Sequence, residues 1–101
     1  MALAESKQPA AVQLLIERWR PGMDETFRRA LLTALSLARH EHAFEFLFSL
    51  IAQGNETSAT EAIRALALYR RDERISDRVR QLVEARPEKS LHRLLHSEFG
   101  G

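Results

Sequence analysis

Two seventeen-residue stretches of this chain, DETFRRALLTALSLARH from Asp24 and NETSATEAIRALALYRR from Asn55, stand 31 residues apart and align without a gap. The shift places Glu25 on Glu56, Thr26 on Thr57, Ala34-Leu35 on Ala65-Leu66, Leu37 on Leu68 and Arg39 on Arg70. Asp24 meets Asn55, Leu32 meets Ile63 and Glu41 meets Asp72. The agreement continues into the next segment, where Phe44 meets Ile75, Phe48 meets Val79 and Ile51 meets Leu82. Any two amphipathic helices share apolar positions. Shared ends and a shared turn length are a further coincidence, and a period of this size points to stacked units that cannot each bury their own faces.

Apolar spacings of three and four dominate, with no sustained alternation, so the chain reads as helices joined by short turns. A first helix is expected to start near Pro9, whose missing N–H costs nothing in a first turn. Its stripe is Val12, Leu15, Ile16 and Trp19, and Arg20-Pro21-Gly22 breaks it. Asp24 can cap a second helix, along which Phe27, Ala30, Leu31, Ala34, Leu35 and Ala38 recur at helical spacing. Leu32 and Leu37 widen that arc beyond half the circumference, so this helix should be covered on two sides. The third helix, Glu41 to Gln53, leaves only His42, Glu45 and Ser49 polar and should be the most buried element, with Gly54 ending it in a left-handed conformation.

Ser58-Ala-Thr-Glu61 has the form of a capping box for a fourth helix running to about Arg71. A fifth, from about Arg74 to Ala85, carries a narrow stripe of Ile75, Val79, Leu82 and Val83 and should lie at an edge. Pro87 separates it from a last helix with Leu91, Leu94, Leu95 and Phe99. Residues 1–8 are expected to fray, and residues 9–99 to form one all-helical repeat domain: half a unit, two whole units and half a unit.

The ALxLxR stretches, Ala34 to Arg39 and Ala65 to Arg70, each followed by an acidic residue at the turn, resemble short HEAT-like repeats of the bacterial phycobilisome-lyase type. The resemblance covers about Asp24 to Arg86. Such repeats often carry Gly where Ser36 and Ala67 stand, and a Gly-Asp-Pro turn where His40-Glu41 and Arg71-Asp72 stand. The resemblance implies an all-α fold, a short right-handed α-α solenoid of five to six helices. A tetratricopeptide array would need a Trp, Gly and Tyr signature that is missing, and an ordinary helical bundle is the alternative.

Charge excludes little by itself. Up to Asn55 there are six basic and six acidic residues, and after it nine and eight, so no half is a basic arm for nucleic acid. The absence of cysteine removes a disulfide framework, a thiolate zinc site and a cysteine nucleophile. MALAESKQPAA lacks the pattern of a secretory signal, and no apolar run is long enough to span a bilayer, so the chain is expected to be cytoplasmic.

Chemistry-bearing motifs are sparse. His92 and His96 stand one helical turn apart, a spacing that can share a metal. Glu98 lies about 160° from His96 around the helix and makes a poor third ligand. His40 and His42 read as polar turn residues. The serines carry no nucleophile elbow, there is no phosphate-cradling glycine loop, and Glu41 and Glu45 fit a solvated strip. No enzymatic activity, metal or cofactor is expected.

Solenoid surfaces usually bind, so the expected function is a non-catalytic protein–protein interaction module: an adaptor, a regulator or a chaperone. The expected partner-binding face is Arg74, Asp77, Arg78, Arg80, Gln81 and Glu84. Half-units at the ends favour a homodimer through the first helix, using Leu14, or the last, using Leu94 and Phe99. A second reading is nucleic-acid binding through Arg64, Arg70, Arg71, Arg74, Arg78, Arg80, Arg86 and Arg93, although acidic residues interleave with them.

Overall fold

The computed structural model describes residues 3–100, with side chains described from residue 10 onward. All regular structure there is helical, and no strand occurs among the described residues. Six helices follow one another: α1 Leu3–Arg18, α2 Glu25–Ala38, α3 Glu41–Gln53, α4 Glu56–Leu66, α5 Glu73–Glu84 and α6 Lys89–Phe99. A 3-10 turn, Ala67–Tyr69, extends α4. The chain divides into two compact units, Met1–Phe46 and Leu47–Gly101, and the boundary falls inside α3.

In the first unit α1 packs against α2. α1 begins at Leu3, six residues ahead of the expected start at Pro9. The preceding Leu-Ala-Glu-Ser-Lys-Gln is rich in good helix formers. The fraying expected of residues 1–8 falls in part on Met1 and Ala2, which lie outside the described residues. Trp19 stands just past the helix end, buried, with its backbone N–H shared between the carbonyls of Leu15 and Ile16 at 3.2 Å each. Its ring meets Phe46 edge-on, centroids 5.7 Å apart at 76°.

Asp24 caps α2 as its sequence predicts, its Oδ2 accepting from the Thr26 N–H at 3.0 Å. The inward face of α2 is only partly the predicted one, and the helix is covered on one side rather than two. Arg28, Leu32, Leu35 and Ser36 are buried, whereas Phe27, Ala30 and Ala38 are exposed. Arg28 is placed inward by two backbone acceptors: its guanidinium donates to the carbonyls of Pro21 (3.1 Å) and Met23 (2.8 Å), tying down the turn before the helix. α2 ends on Arg39 in the left-handed region, φ 53°, without glycine.

α3 is capped by a ring rather than a carboxylate, because Nδ1 of His40 accepts from the His42 N–H at 3.1 Å. α3 buries Ala43, Leu47, Phe48, Leu50 and Ile51. α4, shorter by two residues, also buries five, so α3 is not the single most buried element. Gly54 does not take the left-handed conformation expected of it; among described glycines only Gly100, which ends α6, has positive φ. Glycine is required at position 54 for space instead, since a Cβ there would come within 2.6 Å of the Leu50 carbonyl oxygen.

In the second unit α6 packs on both α4 and α5. The N-cap of α4 is Asn55, three residues upstream of the expected Ser58: Asn55 Oδ1 accepts from the Ser58 N–H at 2.7 Å, and Ser58 is buried. Asparagine caps the helix one turn earlier, so that Ser58 lies inside its first turn and the capping box is displaced. Asp72 caps α5, accepting from the N–H groups of Arg74 and Ile75. The Ser90 hydroxyl of α6 donates to the Glu56 carboxylate of α4.

Advanced by 31 residues, the span of α2 coincides with α4 plus its 3-10 turn, and α3 matches α5 to within one residue at its start. Under that shift the buried Arg28, Leu32, Leu35 and Ser36 of α2 answer to Ala59, Ile63, Leu66 and Ala67, all buried, whereas the buried Ala43, Leu47 and Leu50 of α3 answer to Arg74, Arg78 and Gln81 of α5, all exposed. Leu37 and Leu68 are each 60% exposed, but Phe27, 67% exposed, answers to the buried Ser58. At about 1.5–3 kcal/mol per fully buried large aliphatic side chain, Leu32, Leu35, Ile63 and Leu66 are the main source of stability in α2 and α4.

Candidate interaction surface

The sequence of α5 forces a division of labour. With so few apolar residues, Val79 and Val83 must go inward with Ser76, and Ile75 and Leu82 are half-buried beside them. At about 100° per residue, Arg74, Asp77, Arg78, Gln81 and Glu84 then share an outward arc of roughly 120°. All five are exposed. Arg80, the sixth expected member, stands at the edge of that arc and is half-buried.

The charges on this face are partly engaged. Arg80 pairs with Asp77 at 3.7 Å, one turn back, rather than with Glu84 one turn on. The Arg78 guanidinium carbon lies 5.1 Å from the centroid of Phe48, a cation–π contact with a ring that is itself nearly buried. Arg74, Gln81 and Glu84 remain as exposed polar groups around a mixed centre.

No family model, curated protein or solved structure matches the chain.

Beside α5 lies an ionic cluster that sequence reasoning missed. The side chain of Arg86 is only 12% exposed and pairs with Glu88, NH2 to Oε2 2.6 Å and Nε to Oε1 3.1 Å. NH1 donates to the carbonyls of Ile51 (2.9 Å) and Gly54 (2.7 Å), which end α3. The bond to Arg86 lowers the Glu88 pKa below its ordinary 4.5, with a backbone hydrogen bond and the charge of Arg86 adding to the shift. The one available signal was Arg-Pro-Glu between two helices, where a fixed turn holds a cation against the preceding chain.

His92 and His96 are exposed on α6. Nε2 of His92 lies 2.6 Å from the Arg86 carbonyl and donates to it, leaving Nδ1 to face other groups. Among the described residues no three His, Asp or Glu side chains gather as a metal site. His40 and His42 stack obliquely, centroids 5.1 Å apart, as part of the α3 cap. Of the expected end-helix contacts, Leu14 is 54% exposed, but Leu94 is half-buried and Phe99 buried, so α6 offers little apolar surface there. Among the described residues no helix is long and apolar enough to cross a membrane.

Proposed function

We propose that the chain is a non-catalytic, HEAT-like helical-repeat module that binds another protein through the outer face of α5. The observation carrying this reading is that Arg74, Asp77, Arg78, Gln81 and Glu84 share one exposed arc on a helix with a narrow buried stripe. The coincidence of helix ends under a 31-residue shift, with matching buried positions between α2 and α4, supports the repeat, and helical repeats commonly bind through extended surfaces. Arginine anchors such contacts more often than lysine or carboxylates do. The role is that of an adaptor, regulator or chaperone, and the cysteine-free composition suits a cytoplasmic setting.

Proteins retained by the immobilised chain should be lost when Arg74 and Arg78 are both changed to Glu, with affinity falling at least about tenfold, or about 1.4 kcal/mol. Equal retention by the two forms rejects α5 as the binding face. Nucleic-acid binding is the weaker reading, because Arg78, Arg80 and Arg86 already face Phe48, Asp77 and Glu88. A steep loss of duplex binding between low and moderate salt would restore it.

A further inference from the structure

The start of α3 rests on an imidazole. His40 is the residue before the helix, and its Nδ1 accepts the backbone N–H of His42 at 3.1 Å. That is the position and the bond of an N-cap, a task that falls to Asp24, Asn55 and Asp72 in α2, α4 and α5. A carboxylate or an amide oxygen goes on accepting through the neutral and mildly acid range. A neutral imidazole offers one acceptor nitrogen. A protonated one offers none, because both ring nitrogens then carry hydrogen. Rotating the ring does not restore the bond, so a protonated His40 cannot cap α3.

We propose that this cap is an acid-sensitive joint: it holds the first turn of α3 closed while His40 is neutral and releases it when His40 takes up a proton. Histidine is the side chain whose charge ordinarily changes between about pH 5 and about pH 8. Falling pH favours the opened turn, because there the ring is free to bind a proton and in the capped turn it is not. His92 behaves differently. Its Nε2 donates to the Arg86 carbonyl, and a protonated ring still donates there. Among the described residues His40 alone uses a ring nitrogen as an acceptor.

The surroundings act mostly in the same direction. The His42 ring lies 5.1 Å from that of His40, so protonation of both sets two cations side by side. Arg39 adds a third just before them, and all three stand at the positive end of the α3 dipole, which disfavours cations. Arg39 also holds φ 53°, a left-handed conformation that costs free energy in a residue with a side chain and persists only while its neighbours hold it. Two carboxylates oppose the effect, Glu41 between the rings in sequence and Glu45 three residues after His42, and both are exposed. An exposed pair of opposite charges is worth less than a helix cap, so the cap decides the sign. From the other elements, no charged or titratable side chain is hydrogen-bonded or ion-paired to the His40 ring among the described residues.

Release is local. Phe44 donates its backbone N–H to the His40 carbonyl at 3.0 Å, and Ala43 beside it is fully buried, so the cap fixes where α3 begins. Without it the chain from Arg39 to His42 is free to move, while Leu47 and Ile51, fully buried further along, keep the rest of the helix packed. The joint is separate from the α5 reading, and neither depends on the other.

Hydrogen exchange of the amide at position 42, corrected for the intrinsic pH dependence of exchange, reads the cap. In the native chain its protection should fall about fivefold between about pH 7.5 and about pH 5.5, the loss of one helix cap. Carboxylates stay ionised across that range, so Glu88 does not contribute. His40→Asn supplies an acceptor that does not titrate, and its protection should stay level across the same range. His42→Gln removes the second imidazole and should keep the fall, as should His92→Gln. Level protection in the native chain overturns the proposal without any variant. So does an equal fall in His40→Asn, which would place the responsible proton elsewhere.

Discussion

The Arg86 guanidinium donates to the Ile51 carbonyl at 2.9 Å, fastening the chain after α5 to the end of α3. Its second acceptor, Gly54, and its carboxylate partner, Glu88, complete a hydrogen-bonded set around one cation. Breaking it leaves both backbone carbonyls and a carboxylate without their donor. Arg86→Ala should therefore lower unfolding free energy by about 2–4 kcal/mol. Arg86→Lys should recover less than half of that, because one ammonium cannot reproduce the planar fork. Urea denaturation of the three proteins measures both.

Glu88 gives this cluster a pH dependence. Its pKa is lowered in the folded chain, chiefly by the bond to Arg86, so the stabilising contribution is present above the unfolded carboxylate range. It is lost as pH falls through the lowered folded value, below 4.5. Thermal melts of the native chain and Glu88→Gln should differ most near neutrality and converge in acid. Parallel curves across that range would show that Glu88 is not coupled to folding.

Gly54→Ala should destabilise by about 1–3 kcal/mol, because the added methyl meets the Leu50 carbonyl oxygen and the Ser58 side chain. The residue has no positive φ, so strain in the dihedral is not the cause. Gly22→Ala, at a position with open space around it, is the matched control and should change the melting midpoint little.

Leu35→Ala and Leu66→Ala, both fully buried, should each cost about 2–5 kcal/mol. Leu37→Ala and Leu68→Ala, two residues further on in each helix and each 60% exposed, should stay within about 0.5 kcal/mol. Denaturant midpoints of the four variants read this directly. Matching losses at Leu35 and Leu66 would add weight to a shared unit.

Helix spans were legible because apolar period and end signals agreed: Asp24 caps α2, and α3 runs from Glu41 to Gln53. The inward face of α2 was not legible, because Phe27 and Leu32 are both apolar and lie on nearly opposite sides of one helix. Periodicity finds apolar arcs and does not say which one a neighbour covers. Asn55 and Ser58 are both good caps one turn apart, and only the path of the chain chose between them. The α5 face was readable for the opposite reason, since its four apolar residues allow one inward orientation. Arg86 was hidden because its partners are backbone oxygens, which carry no residue-type signal.

Trp19 is the chain's single indole, packed edge-on to Phe46 with its Nε1 donor buried and unpartnered. It belongs wholly to the Met1–Phe46 unit. Its emission therefore reports the surroundings of that one ring, whereas far-ultraviolet ellipticity sums over every helix. Heated together, coincident midpoints mark one transition for the whole chain, and an earlier indole midpoint marks loosening around Trp19 ahead of the helices at large, without any added label.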